Sequence, residues 1–351
     1  MKTIGYAAQT ATTPLAPFAF ERRELRPNDV AMEVLYCGIC HSDLHVARND
    51  WGWSLYPAVP GHEIVGRVTA VGPQVKGYKP GELVAVGCMV DSCLQCDQCN
   101  KGQEQMCRQG NIQTYNGKDR VTGEITWGGY SKHIVVREEF VLRVPAGLDP
   151  ARTGPLLCAG ITTYSPLRQW KVGPGSRVAV LGLGGLGHMA VKLAAGLGAD
   201  VTVLSRTADK QVDAQALGAS RVLISTDKDA MKKAKNSFDL IVDTVPVKHD
   251  LTPYMPLLDI EGTLVIVGQL GPLAETSSMP MVSGRRRITG SLIGGIKETQ
   301  ELLEFCAAKN ILPDCEMIRM EEINHAFERM EKSDVRYRFV IDMASLAMPA
   351  A

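Results

Sequence analysis

The chain has no excess of either charge. Its 38 lysines and arginines meet 38 aspartates and glutamates across 351 residues. A net charge of zero speaks against a nucleic-acid or membrane-surface partner, because phosphate-rich surfaces select a basic excess. There is also no apolar run of the ~18 residues that mark a membrane span. Residues 1–11 lack the charged-then-apolar layout of an export signal, which points to the cytoplasm. No repeat or low-complexity tract interrupts the sequence. What is left is an ordinary globular composition, long enough for two domains.

Cysteine is present in number. Of ten, four fall between 93 and 107. In a chain without an export signal, such a cluster points to metal rather than disulfides. The pattern Cys93-x2-Cys96-x2-Cys99-x7-Cys107 lets four thiolates wrap one ion tetrahedrally, a geometry that suits Zn²⁺. An iron–sulfur cluster is the rival, but the last gap is too long for the bacterial ferredoxin run and no proline follows. Four cysteines leave no open position, so this ion would pin a loop and do no chemistry.

The texture of the chain changes along its length. Over the first ~150 residues, short apolar runs (30–36, 64–71, 83–86, 133–136) are broken by Gly, Pro and Asp, as in a β-rich domain with long loops. From Arg177 the pattern alternates. Strands are predicted at 178–181, 201–204, 222–224, 238–242 and 264–267. Helices are predicted at 186–197, with Met189, Leu193 and Leu197 on one face, and at 208–217. That alternation marks a doubly wound α/β sheet. The segment 298–342 reads as helix, loop, helix and a strand at 337–341, with nothing to say which domain it joins.

The run Gly182-Leu183-Gly184-Gly185-Leu186-Gly187 follows an apolar strand and opens a helix, the setting that a dinucleotide fingerprint requires. Its glycines allow a tight turn and let backbone approach a pyrophosphate at the helix N-terminus. An NAD site wants an acid at the end of the second strand. Here that end reads Ser205-Arg206-Thr207, with Lys210 one turn on, while Asp200 precedes the strand. A hydroxyl and two cations suit a 2′-phosphate, which an acid would repel. NADP(H) is therefore the expected cofactor. The plain alternative is a solvated helix start.

Cys40, His62 and Cys158 are scattered, and spacing alone does not join them. Each taken singly is better explained as a buried thiol or a hydrogen-bonded histidine. Together, three such ligands would leave the open position that a catalytic zinc needs.

These residues together resemble the zinc-dependent medium-chain dehydrogenase/reductase superfamily. Within it the likeness is to the cinnamyl alcohol dehydrogenase branch and its bacterial aldehyde-reductase relatives. It is carried by Gly38-Ile39-Cys40-His41-Ser42-Asp43-Leu44-His45, by Pro60-Gly61-His62-Glu63 and by the four-cysteine lobe. It continues through 155–166, the glycine turn and 290–300. The resemblance implies a GroES-like catalytic domain (1–152 and 292–351) interrupted by a Rossmann NADP-binding domain (153–291). It joins Cys40, His62 and Cys158 as catalytic zinc ligands, with Glu63 as an occasional fourth. Asp43 would orient the ligand histidine, and Ser42 and His45 would relay a proton. His41, Thr162, Thr244, Gly268, Ser291 and Ile293 match cofactor contacts. Trp51, Trp53, Cys88, Gln113, Leu292 and Ile293 match the substrate pocket.

The implied activity is reversible reduction of aromatic, cinnamyl or medium aliphatic aldehydes to primary alcohols. It would use NADPH and two zinc ions per chain, one catalytic and one structural. A homodimer is implied too, with the region 264–293 as its edge. Two departures stand out. Liver-type enzymes carry an arginine after the first zinc cysteine where this chain has His41. Plant cinnamyl enzymes often have aliphatic residues where this chain has Trp51 and Trp53; simple core packing is the plain reading of that pair. The rival functions are an NAD-dependent zinc polyol or alcohol dehydrogenase, and a non-catalytic zinc-binding interaction module. The second would leave the glycine turn and the relay unexplained.

Overall fold

The run Val178-Ala179-Val180-Leu181 is apolar on both faces, and it becomes an inner strand of a parallel sheet with all four side chains buried. A computed structural model describes residues 1–346. The expected catalytic segment 292–351 therefore ends in five residues, 347–351, outside the described ones. The chain divides into two units: Met1–Cys158 with Gly294–Ala351, and Ala159–Ile293.

The second unit is a six-stranded parallel sheet. In order its strands are Arg221–Ile224, Asp200–Ser205, Arg177–Leu181, Phe238–Asp243, Leu258–Ile266 and Arg287–Gly290. The helix Gly187–Gly196 packs on the strands Arg177–Leu181 and Asp200–Ser205, and Met189, Ala190, Leu193 and Ala194 are among its buried residues. Several expectations need adjusting here. Asp200 is the first residue of its strand rather than a residue before it, at the end away from Ser205. The single helix expected at 208–217 is a 3₁₀ turn, Ala208–Lys210, followed by a short α-helix, Gln211–Ala216. The strand expected at 264–267 begins six residues earlier, at Leu258, and ends at Ile266. It crosses a register shift opposite Phe238 to Leu240, which hides its period.

The first unit is built on the ten-residue strand Asp29–Gly38. It pairs antiparallel with Ile64–Val71, His133–Arg137 and Arg338–Asp342. The sheet continues from Ile64–Val71 to Leu83–Val86 and Leu142–Arg143. The segment after the second unit thus returns to the first, with Val340 opposite Gly38. Beyond it lies a strand that the sequence hid, Cys315–Arg319, parallel to Arg338–Asp342. It is an edge strand carrying Glu316 and Arg319, so it shows no clean alternation of burial. An N-terminal hairpin, Lys2–Ala7 with Ala16–Glu21, was likewise not expected.

This register assembles the site. Cys37 pairs with Ile64, so the residues just past one strand and just before the other lie side by side. Cys40 and the helix His41–Arg48 follow the first strand, and His62 and Glu63 precede the second. The 3₁₀ turn Gly154–Leu157 brings Cys158 against them. A Cβ on Gly154 would sit 2.7 Å from the Glu63 carbonyl, closer than real contacts allow. The backbone clamps the same place, where the Gly38 amide donates to the Glu63 carbonyl at 2.9 Å.

Candidate metal centres and cofactor turn

Two clusters of ligand atoms form in the first unit. In each, the four atoms lie within 4.8 Å of one another: Cys93, Cys96, Cys99 and Cys107, and Cys40, His62, Glu63 and Cys158. A tetrahedral zinc with Zn–S bonds of ~2.3 Å separates its sulfurs by ~3.8 Å. The observed Sγ distances are 3.8 Å for Cys93–Cys99, 3.5 Å for Cys96–Cys99 and 3.8 Å for Cys40–Cys158. Both clusters fit the ion.

The four-cysteine lobe also carries backbone donors suited to thiolates. The amides of Cys93, Cys96 and Arg108 donate to the sulfurs of Cys107, Cys93 and Cys96, each at 3.4 Å. Those of Arg108 and Cys99 hold the Cys96 thiol down at about 6. Burial pushes Cys99 up to about 12. Neighbouring thiols do not ionise together unless a cation is shared among them.

All four residues of the second cluster are buried. The contact with Cys158 draws the Cys40 thiol well below its ordinary value, while Cys158 is driven well above. This is again one proton between two sulfurs that a metal would displace. Asp43, with no exposed surface, organises the cluster. Its carboxylate accepts the amides of Cys40 at 2.8 Å and Gly61 at 3.0 Å, and the Tyr130 hydroxyl at 3.0 Å. It also lies 3.3 Å from His62 Nδ1, which meets the Tyr115 hydroxyl at 3.2 Å. With Nδ1 engaged, Nε2 is left as the ligand atom. Glu63 is ion-paired to the buried Arg338 guanidinium, and its other oxygen, without a hydrogen-bond partner among the described residues, lies against Gly38. Burial raises its carboxyl to about 7 against the pull of Arg338.

Ser42 and His45 occupy the helix that Cys40 begins. The Cys40 thiol lies 3.6 Å from Ser42 Oγ, and His45 Nδ1 is 2.7 Å from Asp50. His41 opens that helix, its ring 6.3 Å from His45. Trp51 stacks on Trp53 at 5.4 Å and an interplanar angle of 11°, with His45 5.2 Å from Trp51. The pair divides between its two readings. Trp51 packs on the cluster of Val46, Ala58 and Tyr115, whereas Trp53 is 53% exposed. Cys88 directs its thiol to the Leu157 carbonyl at 3.6 Å, and Gln113 hydrogen-bonds to Asn111. Asp50, Tyr115, Tyr130 and Arg338 were not anticipated. They lie from 5 to 275 residues from their partners and belong to no motif.

In the second unit each glycine of the turn has its own reason. Gly182 takes a φ of 90°, which a side chain resists. A Cβ on Gly184 would meet nothing within 4 Å, which leaves open space over the turn. A Cβ on Gly187 would collide with the Gly182 carbonyl. Gly185 and Leu186 complete the turn, and Thr244 pins it, its hydroxyl donating to the Leu181 carbonyl at 2.8 Å. Gly268 lets its strand end close on the Thr244 backbone. Thr162 is buried in the helix Ala159–Gln169. The Ser291 amide donates to Ile266 at 3.1 Å, Leu292 is exposed, and Ile293 takes a φ of 39°. At the end of the second strand Ser205 accepts the Thr207 amide at 3.3 Å, and Arg206 is exposed. Asp209, which the sequence reading passed over, accepts the Thr207 hydroxyl beside Lys210.

A GroES-like β unit joined to a doubly wound parallel sheet is the architecture of the medium-chain dehydrogenases/reductases. The chain belongs to their zinc-dependent, cinnamyl alcohol dehydrogenase-like branch. The model of the alcohol dehydrogenase GroES-like domain matches residues 26–146, and that of the zinc-binding dehydrogenase matches 185–308. The chain is 52% identical to the NADP-dependent alcohol dehydrogenase C 1 of Mycolicibacterium smegmatis, over 99% of each chain. It is 49% identical to the aldehyde reductase YahK of Escherichia coli, again over 99% of each. Among solved structures, a cinnamyl alcohol dehydrogenase of Sorghum bicolor matches with a TM-score of 0.96 and 43% identity, covering 100% of both chains.

Proposed function

We propose that the chain is a zinc-dependent, NADPH-preferring enzyme that reversibly reduces aldehydes to primary alcohols. The observation that carries this is the buried set Cys40, His62 and Cys158 with Glu63 beside them, three ligands that leave a position open while Glu63 is paired to Arg338, in a chain whose other unit bears a dinucleotide turn. The names of its relatives, an NADP-dependent alcohol dehydrogenase and an aldehyde reductase, agree. When bound, zinc polarises the aldehyde oxygen as a Lewis acid and NADPH supplies the hydride.

Each residue then has a task. Cys40, His62 and Cys158 hold the catalytic zinc, with Glu63 as an occasional fourth ligand, and Cys93, Cys96, Cys99 and Cys107 hold the structural one. Asp43 fixes the His62 ring so that only Nε2 is offered. Ser42 conducts the proton that the product alcohol gains, being too weak an acid to supply it alone. His45, its Nδ1 tied to Asp50, exchanges that proton with water through Nε2. Trp51, Trp53, Cys88, Gln113 and Leu292 shape the substrate site. Gly182 to Gly187 cradle the pyrophosphate at the start of the helix Gly187–Gly196. Ser205, Arg206, Thr207 and Lys210 receive the 2′-phosphate. His41, Thr162, Thr244, Gly268, Ser291 and Ile293 complete the cofactor contacts.

We assign catalysis to 1–152 with 292–351 and cofactor binding to 153–291. We place the protein in the cytoplasm, as a homodimer joined along 264–293. The described residues contain no helix long and apolar enough to cross a membrane. Absorbance of NADPH, followed with benzaldehyde and cinnamaldehyde with and without a zinc chelator, tests the activity. Turnover of neither aldehyde, nor of an aliphatic one, overturns it.

A further inference from the structure

The strand Phe238–Asp243 ends on a carboxylate buried in the middle of the parallel sheet. Asp243 pairs in register with Leu181 on one side and Ile266 on the other, so the neighbouring strands bring it no charge. Its carbonyl accepts the amides of Val267 at 2.9 Å and Gly268 at 3.2 Å. Its Oδ1 accepts the Val245 amide at 3.1 Å, and its Oδ2 lies 3.2 Å from His249 Nε2. Among the described residues neither Oδ2 nor Nε2 has a hydrogen-bond partner, so the two buried atoms face each other at that distance without a hydrogen bond being made. The opposite ring nitrogen, Nδ1, meets the Val247 carbonyl at 2.9 Å.

Both ring nitrogens therefore face acceptors, a carbonyl and a carboxylate. A neutral imidazole has one N–H and satisfies one of them. With the Nδ1 proton given to Val247, the buried Nε2 and Oδ2 confront each other lone pair to lone pair, and one proton held at the Asp243 carboxyl relieves that. Burial favours retaining it, since it pushes the Asp243 carboxyl up to about 6 against the opposing pull of His249. The other groups near the ring do not substitute for it. Asp250 turns its carboxylate to the Thr252 amide at 2.8 Å, Lys248 is exposed, and Tyr254 presents its ring edge-on at 6.4 Å.

The loop that this pair closes, 244–249, begins with Thr244. That residue binds the Leu181 carbonyl through both its amide and its hydroxyl, and its hydroxyl also reaches the Gly182 carbonyl at 3.3 Å. Thr244 is thus the bolt on the glycine turn. We propose that Asp243 and His249 are positioning residues that share a proton, and that this proton locks loop 244–249 against the glycine turn and so sets the affinity for the dinucleotide. With the proton held, the loop is closed. As pH climbs from about 6 the proton leaves, either the Val247 or the Asp243 contact is lost, and the turn loosens. The inference rests on the reading that this unit holds NADPH.

Two measurements on the full, zinc-loaded chain across pH 5.5–9 test it: NADPH affinity by fluorescence titration, and hydrogen exchange of the peptide spanning 244–251, corrected for intrinsic rates. The wild type should lose affinity about tenfold as pH rises, the scale of one charge-assisted hydrogen bond, and exchange over 244–251 should speed up in step. Asp243→Asn supplies an N–H to neutral His249, so both profiles should become flat with affinity kept. His249→Gln supplies a non-titrating donor and should also flatten them. His249→Ala should be loose at every pH. Wild-type profiles that do not change with pH, or that Asp243→Asn and His249→Gln leave unaltered, overturn the proposal. If NADPH binds at no pH, the cofactor reading fails, and the exchange data alone decide the lock.

Discussion

Asp43 Oδ1 lies 3.3 Å from His62 Nδ1, and the same carboxylate receives the backbone amide of Cys40, so one buried side chain fixes two members of the candidate zinc set. Asp43→Asn keeps the shape and removes the charge. Zinc affinity at the catalytic site should fall ~10–100-fold, the usual cost of losing such an outer partner. Chelator competition measures it, and an unchanged affinity would separate Asp43 from the metal.

Cys158→Ser removes a ligand from the open cluster and leaves the four-cysteine lobe intact. Zinc content should fall from two ions per chain to one, and aldehyde turnover should be abolished with circular dichroism nearly unchanged. Retained turnover would take Cys158 out of the catalytic set.

The Arg206 side chain, exposed after the second strand of the α/β unit, is assigned to the 2′-phosphate. Arg206→Ala should weaken NADPH by ~1–3 kcal/mol, the worth of a charge-assisted bond, and hardly affect NADH. Equal losses for both cofactors, read by isothermal titration, would refute the phosphate contact. Asp209, already bound to Thr207, is the nearby acid whose removal should act in the opposite sense.

Stability at acid pH has a separate source. Asp119 accepts both Nη atoms of Arg26 at 2.9 Å, and the amides of Val121 and Thr122 at 2.8 and 3.0 Å. Partial burial pushes its carboxyl up, but the Arg26 bond and then the two amides win, holding it well below the ordinary carboxylate range. A depressed carboxyl contributes stability above its unfolded value, ~3.9, that is lost as pH falls through the folded one. Asp119→Ala should cost ~1–3 kcal/mol at pH 7 and less in strong acid, measured by urea unfolding. A deficit independent of pH would remove the ionic explanation.

What could be read from the residues alone was whatever is local. Cys93 to Cys107 and Gly182 to Gly187 announce their chemistry because the chain needs only a few bonds to bring those atoms together. Cys40, His62 and Cys158 were joined by family likeness, since Cys40 and Cys158 are 118 residues apart and meet only through strand register. The Tyr130–Asp43 and Arg338–Glu63 contacts span 87 and 275 residues, and no spacing rule reaches them. The strand Cys315–Arg319 was hidden for another reason: an edge position leaves few side chains buried, and so no period to detect.

The strand Arg338–Asp342 has a consequence for the order in which the molecule is made. It completes the sheet of the first unit, yet it follows the whole of Ala159–Ile293 in the chain. On the ribosome the α/β unit is therefore synthesised in full while the unit begun before it still waits for that strand. Until Arg338 emerges, Glu63 has no guanidinium to neutralise it. The earlier unit should therefore mature after the later one, and a nascent chain arrested past Ile293 but before Arg338 emerges should contain a finished dinucleotide fold and an unfinished metal site.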